Sequence, residues 1–370
     1  MINVKMRFKE PVTFLLLALI PFIFIKGQPL TPPGIGLTPP AKINYTSIKD
    51  QYNSSTCWSF SSNSFIESEL IKKGKGKLDL SEMFVVRYSY LRKIKTHLRR
   101  KGGNYFLAGG QFHDVAWVMK NYGMMPAELY TGKVHGELVY DHTDLDTAMS
   151  YFVRSILATG VTELTKMQLA YADSLLDAYL GKVPYDFNYK GKKYTPKTFL
   201  HDYLNIDPDD YVEITSYTHH PYYTLFILED KYNWTSDYYY NVPINDFTAI
   251  TNAALKAGYT VGWDGDAEEK GFDFQNGLAY MDYKINDYQQ ERQSTLDDKS
   301  TAINHMMHIV GLTSDKFGKS WYYIKNSWGT NNNLLNGFLY MSEDYFKIKT
   351  GAIIVNRNAI PLPLKKRMGI

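Results

Sequence analysis

The chain has 370 residues, 44% of them hydrophobic, enough to bury one large core or two lobes around a cleft. Its 41 basic side chains nearly cancel 38 acidic ones, so net charge makes no case for nucleic acid or a membrane surface as the main partner. With one cysteine, an internal disulfide is excluded.

In chain order, Lys5, Arg7 and Lys9 precede Val12 to Ile25, a 14-residue run that is apolar except for Thr13 and Pro21. That is short for a membrane-spanning helix, which takes about 20 apolar residues. A secretory signal over residues 1–27 fits better, with an uncleaved anchor as the other reading. The expectation is a secreted or periplasmic protein with no stable membrane insertion. Gln28 to Pro40 carries five prolines, so 28–47 reads as an extended leader. In an oxidising compartment cysteines normally pair. The lone Cys57 is then either a buried small apolar residue or a reactive group.

Its surroundings favour reactivity. Ser54, Ser55 and Thr56 are N-cap candidates, Trp58, Phe65, Ile66 and Leu70 recur at roughly helical spacing, and Gly74 supplies a stop. Cys57 therefore sits in the first turn of a helix, where the dipole and free N–H groups favour a thiolate. Gln51 lies six residues earlier, and its amide can join the Cys57 N–H in an oxyanion hole. This glutamine, cysteine and following aromatic resemble the nucleophile segment of the papain superfamily. Asn53 and Ser54 stand where papain has a second cysteine, which points to the disulfide-free branch of bleomycin hydrolase and bacterial aminopeptidase C.

Further on, Arg92, Lys93, Lys95, Arg99, Arg100 and Lys101 read as a solvated basic helix face. Gly109 and Gly110 open a helix. They resemble the glycine pair that binds substrate backbone in papain-type clefts, with Gly110 in that role; a plain turn is the alternative. Residues 141–240 read as an insertion of roughly 100 residues, with helices over Leu145–Leu157 and Gln168–Leu180, and strands or loops over Tyr185–Tyr194 and Tyr211–Tyr217. His219 and His220 are adjacent, so in an extended segment they point apart. Asp264, Asp266, Glu268 and Glu269 read as a solvated acidic loop. No metal site and no cofactor is expected.

In Asn304 to Gly311, which contains His305, Ile309 and Val310 read as a strand with Gly311 a close backbone approach, and Trp321 to Lys325 reads as a second strand ending in the polar turn Asn326-Ser327-Trp328-Gly329. Paired as a hairpin, they bring His305 to Asn326, whose side chain can fix the tautomer while Trp328 keeps water off. Both segments resemble the histidine and asparagine motifs of the papain superfamily, although Met306 stands where a small residue is usual. The register gives His305 as the base and leaves His308 structural. Cys57 and His305 are 248 residues apart, against about 130–150 in papain-like peptidases, which requires the insertion.

The resemblance implies a papain-like α+β fold. A helical lobe (48–140) would carry the nucleophile, and an antiparallel, β-barrel-like lobe (241–360) the histidine and asparagine. The activity implied is hydrolysis of peptides by Cys57, His305, Asn326 and Gln51, with Gly109, Gly110 and Trp328 lining the substrate site. The branch also implies a C-terminal arm (361–370) lying in the cleft, where the Ile370 carboxylate would bind the substrate's α-ammonium and make the enzyme an aminopeptidase. A solvated basic tail is the other reading of that arm. An endopeptidase is the alternative activity, and an inactive peptide-binding homologue a more distant one. About 30 residues between Gly27 and Cys57 are too few for a papain-type inhibitory pro-domain. Homo-oligomerisation is left open.

Overall fold

The computed structural model describes residues 35–38, 40, 43–134 and 136–370. The expected signal segment lies outside them. Among the described residues no helix is long and apolar enough to cross a membrane.

The first α-helix among the described residues is α1 (Cys57–Lys72), which is buried on all sides from Trp58 to Leu70. Such a helix forms the axis of a molecule, since only surface helices need a polar face. Packed against it are α2 (Glu82–Arg99) and α3 (Phe112–Tyr122). Helices α4 (Thr143–Leu157) and α5 (Lys166–Leu180) pair with each other and lean on α2. Beyond them the hairpin β1 (Phe187–Tyr189) and β2 (Lys192–Tyr194) leads through the single turn α6 (Pro196–Thr198) to a short π-helical turn at Phe199–Leu204. There Phe187, Tyr189, Tyr194, Phe199 and Tyr203 pack ring on ring, and the cluster continues the apolar core of the helices.

The second half is a ten-stranded sheet. Its strands are β3 (Tyr211–Thr215), β4 (Leu225–Ile227), β5 (Tyr238–Asn241), β6 (Val261–Gly265), β7 (Phe272–Asp273), β8 (Leu278–Ala279), β9 (His305–Ser314), β10 (Ser320–Lys325), β11 (Phe338–Ser342) and β12 (Thr350–Asn356). They run in the order β4-β5-β3-β12-β6-β9-β10-β11-β8-β7. Only β3/β5 and β11/β8 are parallel. The barrel-like expectation is corrected, because β4 and β7 each pair on one side only and the sheet stays open. Helix α7 (Ile244–Lys256) covers one face, with Phe247 and Ile250 in a core shared with Trp263, Ile309 and Tyr322. Helices α8 (Tyr288–Asp297) and α9 (Glu343–Lys349) pack on each other beside it.

Residues 141–240 are not a separate unit. Strand β3 lies inside the main sheet, hydrogen-bonded to both β5 and β12. Parts of the 28–47 leader are also tied down: Leu37 is buried, Thr38 N–H donates to the Ser314 carbonyl at 3.1 Å, and Pro40 packs against Gly311.

The C-terminal arm is not extended. Leu362–Met368 forms helix α10, because Pro361 and Pro363 fall at its start, where proline's fixed φ and missing N–H favour a first turn. Leu364 and Met368 are buried against the α7 face, with Ile370 packed beside them. Arg367 reaches the Tyr223 hydroxyl at 3.2 Å and Asp246 at 3.7 Å.

Beside α1 lies an ion cluster built on two buried carboxylates, Glu67 and Glu82. Lys49 pairs with Glu67 at 3.0 Å and with Glu82 and Asp79, and Glu67 also accepts from the Leu80 N–H at 2.9 Å. Burial lowers the Lys49 pKa, but Glu67, Glu82 and Asp79 outweigh it and hold the lysine charged. Removing Lys49 leaves Glu67 and Glu82 buried and uncompensated. Lys49→Met is therefore expected to lower unfolding free energy by about 3–5 kcal/mol, read from urea denaturation. A loss under 1 kcal/mol would mean that the acids are solvated.

Candidate active site

Cys57 stands at the N-terminus of α1, and this end is uncapped. Thr56 occupies the N-cap position without a side-chain bond to the helix, its hydroxyl paired instead with that of Ser54 at 2.6 Å. The capping expected of Ser54, Ser55 or Thr56 is absent, which leaves first-turn N–H groups for a ligand.

One turn down the same helix face, Ser61 donates to the Met307 carbonyl at 2.7 Å, and Ser64 meets His308 Nδ1 at 2.8 Å. These bonds fix the register of α1 against β9, so Cys57 lies beside the strand's first residues. Cys57 and His305 line one cavity of about 290 Å³ with Gln51, Gly109, Gly110 and Trp328. A larger depression, about 960 Å³, lies on the outer surface by Tyr280 and Phe317 and contains none of these groups.

His305 Nε2 is 2.8 Å from Asn326 Oδ1. The same oxygen accepts from the Ser327 N–H at 2.8 Å, which fixes the amide so that its oxygen faces the ring. Nε2 therefore carries the proton, and Nδ1 is left to act as a base. Trp328 stacks on the imidazole at 4.6 Å, held in turn by Phe274 at 4.9 Å. Strands β9 and β10 pair antiparallel with a bulge at Tyr323/Ile324, and this hairpin brings the histidine to the asparagine.

Gln51 is joined to the same turn. Its N–H donates to the Ser327 carbonyl at 2.9 Å, and Ser327 Oγ donates to Gln51 Oε1 at 2.6 Å. With its oxygen engaged, the side-chain amide has only N–H groups to offer the cavity. Ser327 is a residue that sequence reasoning missed. Its signal is its place between Asn326 and Trp328, but its hydroxyl's target lies 276 residues away.

Gly109 and Gly110 both line the cavity, each with a close neighbour. A Cβ on Gly110 would lie 3.0 Å from the Trp58 ring, and one on Gly109 only 2.3 Å from the ring of Tyr232. The basic cluster is corrected at two of its six residues, while Lys95, Arg99, Arg100 and Lys101 are exposed. Lys93 is buried and donates to the carbonyls of Leu107 and Gly109, while Arg92 pairs with Asp114 at 3.1 Å and stacks over Trp117. The acidic-loop reading fails for the two aspartates, while Glu268 is exposed in a loop. Asp264 is a buried residue of β6 lining the cavity, and Asp266 is buried, accepting from the N–H groups of Glu268, Glu269 and Ala302.

Two expected placements differ, those of Ile370 and of the His219–His220 pair. Ile370 does not line the cavity, since α10 carries it to the α7 face. His308 lies behind α1, with Lys325 also bonded to Ser64. His219 and His220 do not point apart: a turn aims both at Glu229, at 3.2 and 3.3 Å.

The electrostatics reverse one expectation. Burial pushes the Cys57 thiol up to about 11, although N–H groups of Met306, Trp58 and Cys57 itself work against it. Burial likewise holds His305 down to about 4, opposed by the Asn326 bond. Desolvation outweighs the helix terminus, which favours a neutral thiol and a neutral imidazole.

The Peptidase C1-like family matches residues 92–369. The chain belongs to this family. Aminopeptidase G of Lactobacillus delbrueckii subsp. lactis is 25% identical over 354 residues, covering 84% of this chain and 80% of the relative. Aminopeptidase C of the same organism is 24% identical, covering 88% and 82%. The solved structure of PepW from Lactobacillus rhamnosis HN001 superposes with a TM-score of 0.71 at 18% identity, covering 91% and 85% of the two chains. The papain-like architecture is shared, and the chain is a cysteine-type peptidase by family.

A neutral thiol has a measurable signature. The rate of Cys57 alkylation by iodoacetamide should climb about tenfold per pH unit from pH 7 to 10, following the thiolate fraction. A rate already level at pH 6–8 would mean a preformed thiolate–imidazolium pair.

Proposed function

We propose that the protein is an exported aminopeptidase that cleaves peptides through Cys57, His305 and Asn326, with Gln51 completing an oxyanion hole. The observation that carries this reading is the buried His305–Asn326 bond under Trp328, in the same cavity as the chain's one cysteine. Kinship with aminopeptidases G and C supports peptide substrates and the aminopeptidase direction.

The mechanism follows from the neutral resting pair. A peptide carbonyl enters beside Sγ. His305 Nδ1 takes the thiol proton as sulfur attacks, and the imidazolium formed is steadied by Nε2–H donating to Asn326. The Gln51 amide and the Cys57 N–H receive the oxyanion. His305 returns its proton to the leaving amine, and water, deprotonated by the same nitrogen, hydrolyses the thioester. Trp328 keeps bulk water from the His305–Asn326 bond throughout.

The ring of Tyr232 sits against Gly109, and both residues line the cavity. The endopeptidase alternative draws on the position of α10, which leaves no C-terminal arm among the cavity-lining residues. Mass spectrometry of products from one peptide, free and N-acetylated, separates the two. Release of the first residue from the free form only supports the aminopeptidase, and internal cuts in both support the endopeptidase. His305→Ala should abolish either activity, while His308→Ala should retain most of it at temperatures where the protein stays folded. Equal losses would remove the assignment of the base.

The oxyanion role has its own test. Gln51→Ala should lower kcat about 10²-fold with little change in KM. Ser327→Ala should reproduce part of that loss by freeing the Gln51 amide to turn. Full kcat in Gln51→Ala would exclude the role.

A further inference from the structure

The cavity contains a carboxylate that the hydrolytic steps leave unused. Asp264 is 3% exposed and lines the cavity, and its Oδ2 has no hydrogen-bond partner. A buried carboxylate oxygen without a donor is costly unless something arrives to satisfy it. Asp264 sits on β6 directly opposite Met306 of β9, the residue after His305, so it borders the place where the bond is cut. Its charge also reaches Cys57, whose thiol it helps to push up.

The nearby cations are committed elsewhere. His113 is held by Glu213 at 3.0 Å and lies 3.7 Å from Asp237, Arg92 pairs with Asp114 and Asp237, and Lys93 holds the carbonyls of Leu107 and Gly109. The cavity lining includes a second acid, Asp146, but no lysine or arginine. Asp146 is bonded through one oxygen to the Tyr90 hydroxyl and is only half-buried, which leaves Asp264 as the lining acid with a buried, unpartnered oxygen. Burial and the neighbouring Asp230 hold its carboxyl well above the usual range, with the Gln111 amide opposing them. An incoming positive charge would relieve both.

We propose that Asp264 is the cation anchor of the cleft, its Oδ2 receiving a primary ammonium of the substrate and so selecting which peptides are cut. The ammonium can come from a free N-terminus or from a lysine-type side chain, and the two share one chemistry. The inference rests on the reading of this cavity as a peptide site. It gives that site the charge partner that α10 does not supply.

Protection of Cys57 from iodoacetamide at pH 7 tests the anchor without requiring turnover. Leucinamide is compared with 4-methylpentanamide, which lacks only the amine, and N-acetyl-lysinamide with N-acetyl-norleucinamide. In the wild-type protein one amine-bearing member should half-protect Cys57 at a concentration on the order of 30-fold lower than its uncharged counterpart. Leucinamide as that member identifies the free N-terminus as the source, and N-acetyl-lysinamide identifies the side chain. Asp264→Asn, with an unchanged melting temperature, should erase the difference and leave protection by the uncharged members intact. Equal protection within both wild-type pairs overturns the anchor without any variant, and so does an Asp264→Asn protein that keeps the discrimination. A protein that shows the discrimination yet hydrolyses no peptide would refute the peptidase reading and leave the anchor standing.

Discussion

Everything at the site depends on how α1 is docked against β9. The nucleophile and its base are 248 residues apart in sequence, and neither lies on a rigid element shared with the other. Ser61 on the Met307 carbonyl and Ser64 on His308 convert helix and strand into one body. Both bonds are buried, where hydrogen bonds are worth most and a slip would strand polar groups in the core. The buried Lys325, bonded to Ser64 and to Thr46 at 3.0 Å, extends the seam toward the chain segment that leads to Gln51. A second join, between residues 49–51 and 327–329, sets Gln51 against Asn326 and Ser327. Two seams thus place four side chains from distant parts of the chain around one cavity.

The chemistry that emerges is set by desolvation. Cys57 at a helix start reads as an ionised nucleophile if only the dipole is weighed. In the folded chain the cost of burying charge exceeds what a few backbone N–H groups return, for thiol and imidazole alike. Attack is then coupled to proton transfer, and the substrate itself, by displacing solvent and presenting a polar carbonyl, completes the environment in which charge separates.

Much of this was legible in the sequence, and the parts that were not share a cause. The Cys57, His305 and Asn326 segments were readable because each combines a reactive residue with local punctuation: a helix start, a strand start and a polar turn. The β9/β10 hairpin followed from proximity in sequence. What local reading could not supply was burial at long range. Asp264 and Asp266 look like a solvated turn until β6 is seen between β9 and β12. Arg92 and Lys93 look like a surface helix face until Asp114 and the carbonyls of Leu107 and Gly109 come round to meet them. The tail prolines suggested an extended arm, yet the same residues suit a helix's first turn, and the apolar α7 face decides between the two.

The contact between Tyr232 and Gly109 joins residues 123 positions apart. Any side chain at 109 would collide with the ring, and a smaller residue at 232 would leave the loop wall without its neighbour. Position 109 is therefore free to take a side chain only once the tyrosine has gone. Among descendants of this fold, a chain that replaces the tyrosine with a small residue can admit a side chain at 109, or can leave the glycine bare and gain a longer groove. Substrate length would then be an inherited trait written in one pair of residues, changeable in two substitutions without touching the atoms that cut the bond.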